Sequence, residues 1–192
     1  MSVRPIQVRR VLLKEFTEAH RHAFVGYHTD ERYRRLYDLD DGVERPNLLF
    51  DLFRRWQDEA PRSNFQLGLF HSGSGELLGC GGLRGVAGRS AVLGVELAPD
   101  QWGRYRLAVD AVTALLTLAF DELGLQVVTG ETASGNRRVE KLARWFGAEL
   151  VQSREGPAWM RSRGWREVDW SIDRDRWRRG APPSVGGVDE PP

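Results

Sequence analysis

Several residue types and patterns are scarce in this chain, and each scarcity excludes a class of function. One cysteine, Cys80, stands among 192 residues, too few for an internal disulfide framework, a cysteine-based zinc site or a dithiol redox pair. Lysine is nearly absent: Lys14 and Lys141 stand beside 26 arginines. Acidic residues accompany the arginines and hold the net charge at +1, and no basic run interleaved with aromatics marks a nucleic-acid footprint. A genome-wide codon bias accounts for the arginine surplus, although each guanidinium brings a planar fork of donors suited to phosphate and carboxylate. Long apolar runs are missing as well. The longest, Leu115 to Phe120, is far below the roughly 20 residues that span a bilayer, and Met1 to Arg10 lacks the apolar stretch of a signal peptide. The expectation is a cytoplasmic protein with no membrane partner.

What is present suits one folded unit. A chain of this length buries about 70% of the surface it exposes when unfolded, enough for a core without staples. The reading is a single domain over 1–179 and a disordered tail over 180–192, where four prolines and three glycines fall together without an aromatic. Ile6 to Leu13 has strand character, and Thr17 to Leu36 is helical, with Ala19, Ala23, Phe24 and Tyr27 at helix spacing. Asp38, Asp40, Asp41 and Gly42 form a loop, after which Pro46 opens a second helix that Pro61 ends. Asn64 to Phe70 and Glu76 to Leu83 read as strands joined by a glycine-rich turn, and Ala91 to Leu97 as a strand stopped by Pro99. Leu107, Ala111, Leu115 and Leu118 then share one face of an amphipathic helix that Gly124 closes. Gln126 to Thr132 is a strand, Asn136 to Phe146 a helix closed by Gly147, and Glu149 to Arg154 and Glu167 to Ile172 are strands. Strands first paired by a hairpin and later separated by helices predict a mixed sheet.

The junction from Val92 to Arg106 carries the most chemistry. It runs from a strand through a loop holding Gly103 into a helix, and a helix start presents unpaired N–H groups and the positive end of a dipole, where a phosphate can sit.

Glu96-Leu-Ala-Pro-Asp-Gln-Trp-Gly-Arg104 before a helix, Val127-Val-Thr-Gly-Glu-Thr132, Ser134-Gly-Asn136, and Phe146-Gly-Ala-Glu-Leu150 follow in order. Together with Gly79-Cys-Gly-Gly-Leu83 and Asp169-Trp-Ser-Ile-Asp-Arg-Asp-Arg-Trp177, this run from Ile6 to about Trp177 resembles the GNAT superfamily of N-acetyltransferases. It is most similar to the branch that acetylates ribosomal-protein N-termini. The resemblance implies an α+β, three-layer fold whose mixed, mostly antiparallel central sheet splays into a V with helices on both faces. It implies acyl transfer from acetyl-coenzyme A or another acyl-coenzyme A, without a metal, to a small-molecule or peptide amine, and it leaves room for a homodimer. Carried onto this chain, Val95, Leu97 and Ala98 pair with the pantetheine arm. Trp102, Gly103, Arg104, Tyr105, Arg106 and Leu107 hold the pyrophosphate, Arg144 joins the cofactor-binding set, and Glu96 and Asn136 serve catalysis, Asn136 also touching the cofactor.

The chain departs from the family at the loop, where Tyr105 and Leu107 stand where small residues are usual and one residue is inserted. It departs again at Ala143 and Val139, where the family often has tyrosine and serine. The altered loop keeps two alternatives open: a GNAT-fold transferase with a donor such as aminoacyl-tRNA, and a non-catalytic binding module.

Glu96 reads equally as a base for the amine or as a strand-edge carboxylate paired with arginine, and Glu131 is a second candidate. Tyr27, Tyr33, Tyr37 and the Asp38–Asp41 loop correspond to the family's acceptor side; the acidic loop reads first as a solvated loop and second as a handle for a cationic amine. His20, His22 and His28 lack the spacing of a zinc pair and read as surface or acceptor-pocket histidines. Cys80 reads as a small buried residue.

Overall fold

The computed structural model describes residues 2–37 and 42–180. Eight strands form one sheet in the order β1-β2-β3-β4-β5-β6-β8-β7. They are β1 Ile6–Val8, β2 Val11–Lys14, β3 Phe65–His71, β4 Leu77–Ala87, β5 Ser90–Leu97, β6 Val127–Ala133, β7 Glu149–Glu155 and β8 Arg166–Asp173. Every neighbouring pair is antiparallel except β5 and β6. Parallel neighbours need a crossover, and α4 Tyr105–Thr117 supplies it, loosening to a π-type coil over Leu118–Glu122.

One expected strand is two. Ile6 to Leu13 turns back on itself at Arg9, whose φ is +47°, so that Ile6 pairs with Leu13. The alternation of apolar residues is the same along both arms of a hairpin, and nothing in the pattern marks the turn. The expected helix over Thr17 to Leu36 is likewise a short 3-10 turn, α1 Arg21–His28 and α2 Glu31–Tyr37. α3 Glu44–Gln57 holds Pro46 in its first turn, where the missing N–H costs nothing. α5 Arg137–Trp145 starts after Asn136, and two short helices, α6 Ala158–Arg161 and α7 Arg174–Gly180, carry no signal in the sequence pattern. Gly180 ends α7. The rest of the expected tail, and the acidic loop 38–41, lie outside the described residues.

The sheet separates two cores. On one face α4 lays Leu107, Ala111, Leu115 and Leu118 against Leu13, Leu67, Leu69 and Leu83. On the other, α1 and α3 bury an aromatic cluster around Phe16, whose ring centroid lies 5.5 Å from that of Phe24 and 5.4 Å from that of Phe50. Side chains alternate along β5. Leu93, Val95 and Leu97 face α4, while Ala98, two residues beyond Glu96, belongs to the aromatic side with Tyr27, Tyr33 and Cys80.

β4 approaches its neighbours closely because of its glycines. A Cβ on Gly82 would lie 2.1 Å from the Phe65 carbonyl oxygen, and one on Gly79, at φ +150°, 2.2 Å from that of Glu96. Among the described residues no helix is long and apolar enough to cross a membrane.

Candidate active site

β5 and β6 part after a short pairing. Their parallel pairing covers only Ser90 to Val92, against Val127 to Thr129. Beyond it β5 stays bonded to β4 as far as Leu97, opposite Gly79, while β6 turns to β8. The amide of Ala98 donates to the Leu78 carbonyl at 2.8 Å. Since antiparallel residues alternate between facing their partner strand and facing away, Val95 and Leu97 present their N–H and C=O to the edge that β6 leaves open. The Leu97 carbonyl there already accepts the indole N–H of Trp102 at 2.8 Å.

On the α1 side of β5, Glu96 stands directly across from Cys80 and gathers donors from three elements. Tyr27 donates its hydroxyl to Oε1 at 2.7 Å, and Tyr33 donates to Oε2 at 2.9 Å. The Cys80 thiol lies 3.4 Å from Oε1, and His28 Nε2 lies 3.1 Å from the same oxygen. Burial alone would raise the Glu96 carboxyl. The contacts from His28, Tyr27 and Tyr33 outweigh that cost and hold it below the usual carboxylate range. The same surroundings push the Tyr27 and Tyr33 phenols up, first through burial and then through nearby groups, Glu96 among them. Burial, followed by the Glu96 carboxylate, raises the Cys80 thiol. At neutral pH Glu96 is therefore a carboxylate, with Tyr27, Tyr33 and Cys80 as protonated neighbours. About a quarter of the Glu96 side chain, 24%, remains exposed.

At the start of α4 lies a cavity of about 330 Å³ lined by Arg10, His71, Leu78, Gln101 and the loop from Arg104 to Leu107. The amides of Arg104, Tyr105 and Leu107 donate to the loop's own carbonyls on Gln101, Gly103 and Arg104. Arg10, Arg104 and Arg106 line the cavity and give it a positive character. The two bulky residues leave it open. Leu107 is in the core under α4, and the Tyr105 ring lies beneath Lys141 Nζ, 5.1 Å away. An open strand edge beside a cationic cavity fits an elongated amide-bearing ligand that ends in phosphates.

The family model of the acetyltransferase (GNAT) domain matches residues 10–149. The chain belongs to the GNAT acetyltransferase family. Solved GNAT structures have the same fold at low identity. An acetyltransferase of the GNAT family from Bacillus anthracis is 17% identical with a TM-score of 0.68, the match covering 90% of this chain and 99% of that one. A protein assigned as a ribosomal-protein-serine acetyltransferase from Vibrio cholerae gives 18% and 0.71, over 90% and 99%. Spermidine N-acetyltransferase from Vibrio cholerae in complex with CoA and spermine gives 13% and 0.74, over 88% and 98%. No curated protein sequence matches at a significant level.

Within this GNAT fold most of the residues singled out from sequence gather at two places. Val95, Glu96, Leu97, Ala98 and Trp102 meet along the open part of β5. Arg104, Tyr105, Arg106 and Leu107 gather at the cavity, and Gly103 turns the chain there with φ +87°. Asn136 caps α5 through Oδ1, which accepts the Val139 amide at 3.3 Å. Arg144 and Glu131 stand apart from these groups. Arg144 pairs with Glu140 at 3.2 Å and lies over the Trp170 ring, and Glu131 meets Arg154 at 3.4 Å on the β6–β8 side. His20 is spent locally, its Nδ1 accepting the Thr17 amide at 2.9 Å while its ring packs on Phe70. Among the described residues no group of three or more metal-ligating side chains is present. The sequence reading left His28 without a partner and missed Arg10 and Gln101. His28 alone had a usable signal, since it follows Phe24 and Tyr27 on the apolar face of α1.

Proposed function

We propose that this acetyltransferase moves an acetyl group from acetyl-coenzyme A, or the acyl group of another acyl-coenzyme A, directly to a primary amine. The arrangement of Glu96 carries this reading. The carboxylate sits on the strand that borders the open edge, its Oε1 crowded by Tyr27, Cys80 and His28, while Oε2 receives only the Tyr33 hydroxyl. With a single donor, Oε2 keeps a position for the amine.

When bound, the donor supplies a thioester carbonyl for the amine to attack. This chain's residues then have separable parts. Val95 and Leu97 offer backbone groups to the pantetheine amides, and Arg10, Arg104 and Arg106 offer charge to the phosphates. The Asn136 side-chain NH2 is the half of its amide not used by the cap, and it is available to the donor's carbonyl. Glu96 attracts the amine, and once the nitrogen is neutral and attacks, Oε2 takes its proton as the new bond forms. Tyr27 and Tyr33 keep the carboxylate in place.

The acceptor is a small-molecule or peptide amine, in keeping with relatives that bear the names of spermidine and ribosomal-protein acetyltransferases. Release of free thiol from acetyl-coenzyme A tests the reading, with polyamines in one arm and peptides bearing a free N-terminal alanine or serine in the other. Turnover in either arm is expected, and Glu96→Gln should lower kcat about 100-fold or more with coenzyme A binding unchanged. No thiol release in any arm, or full activity in Glu96→Gln, would refute it.

A further inference from the structure

His28 touches Glu96, yet the acyl-transfer reading gives it no part. It is buried to 5% exposure and wedged among aromatic rings, its centroid 4.1 Å from those of Phe24 and Tyr27 and 4.7 Å from that of Tyr33. It cannot swing away. Its two nitrogens have different partners. Nδ1 lies 2.9 Å from the carbonyl oxygen of Phe24, one helical turn earlier. A carbonyl oxygen only accepts, so the first ring proton belongs on Nδ1. Nε2 is then buried, makes no well-aligned hydrogen bond, and lies within ion-pair distance of Glu96 Oε1 at 3.1 Å. A bare lone pair there would set two acceptors face to face in a buried space. A second ring proton turns that conflict into a charge-assisted contact.

We propose that His28 is the positioning residue of the proton acceptor. Held by the Phe24 carbonyl, its Nε2–H keeps Oε1 of Glu96 occupied and the carboxylate ionised, so the amine proton is delivered to Oε2. The proposal rests on the acyl-transfer reading and adds the group that sets its pH range. In the step, a bond forms from the amine nitrogen to the thioester carbonyl carbon and an N–H bond breaks, its proton going to Oε2. The C–S bond breaks, and the sulfur leaves with the electron pair. His28 holds the same protons before and after. The charged and titratable groups around its ring are Tyr27 on α1, Tyr33 and Arg34 on α2, Arg45 on α3 and Glu96 on β5, and Cys80 on β4 meets the same Glu96 oxygen. Arg34 and Arg45 line a cavity of about 60 Å³ beside it and have partners of their own.

The test uses the full chain and two variants, His28→Gln and His28→Ala. Gln retains an N–H donor without a charge, and folds if the smaller Ala does not. The Glu96 carboxyl is titrated by carbon NMR, and the pH profile of kcat/KM is recorded with the amine that wild type uses best. In both variants the carboxyl midpoint should rise by about one pH unit or more, and the acid limb of kcat/KM should rise with it. KM for acetyl-coenzyme A should not move, and added imidazole should restore part of the lost activity in His28→Ala. An unmoved carboxyl titration in either folded variant would overturn the proposal. Absence of turnover in wild type with every amine would instead overturn the acyl-transfer reading on which it rests.

Discussion

The Trp102 indole donates its N–H to the Leu97 carbonyl at 2.8 Å, on the edge that β5 exposes where β6 leaves it. A side chain thus fills the position that the next strand would take. Trp102→Phe would strip that carbonyl of its partner, at a cost of about 1 kcal/mol. A bound pantetheine amide could replace the lost donor. The melting-temperature increase on adding coenzyme A should therefore be larger in Trp102→Phe than in wild type. Equal increases in the two proteins would show that the donor does not reach Leu97.

Arg10 enters the cavity at α4 from the β1–β2 turn, far from Arg104 in sequence. If guanidinium groups replace loop amides as the phosphate ligands, Arg10→Ala and Arg104→Ala should each weaken coenzyme A binding about tenfold, the worth of one charge-assisted hydrogen bond. The loss should shrink at high salt, and KM for the amine should stay level. Calorimetric titration at two salt concentrations decides it, and unchanged affinity in both variants would remove these cations from the donor site.

Asp110 is buried in α4, with Arg9 Nη1 3.9 Å from its Oδ1 and no partner for Oδ2. Burial raises its carboxyl, and the nearby Arg9 and Arg10 offset only part of that rise. A native carboxyl above its unfolded value binds its proton more tightly in the fold, so stability falls as pH rises through the native titration. Asp110→Asn should then melt a few degrees higher than wild type at pH 8, and the gain should disappear by about pH 4. A lower melting temperature at pH 8 would mean that the contact with Arg9 outweighs the cost of burial.

Gly82 and Gly81 are adjacent on β4, yet their neighbours respond differently to a methyl group. A Cβ on Gly82 meets backbone, the Phe65 oxygen at 2.1 Å, whereas one on Gly81 first meets the end of the Leu115 side chain at 2.8 Å. Gly82→Ala should cost about 3 kcal/mol or more, because β3 must move off β4, and Gly81→Ala about half of that. Denaturant unfolding measures both. Equal losses would show that Leu115 is as fixed as the strand.

The sequence by itself determined the run of elements from α3 to β7, the apolar face of α4 and the alternation along β5 that puts Glu96 on the side opposite Val95 and Leu97. Those properties follow from periods of 3.6 and 2 residues, which are local. It also marked the loop before α4, because Pro99 and Gly103 act on the backbone where they stand. Other features were decided only in three dimensions. The turn at Arg9 depends on a positive φ that no pattern of apolar residues announces. The meeting of Tyr27 and Glu96, 69 residues apart, depends on how α1 crosses the sheet. So does the pairing of His28 with that carboxylate, since a side chain's partners are set by register and packing angle rather than by its own neighbours in the chain. Arg144 shows the converse. Its pairing with Glu140, one helical turn away, is a local contact that helix spacing by itself announces.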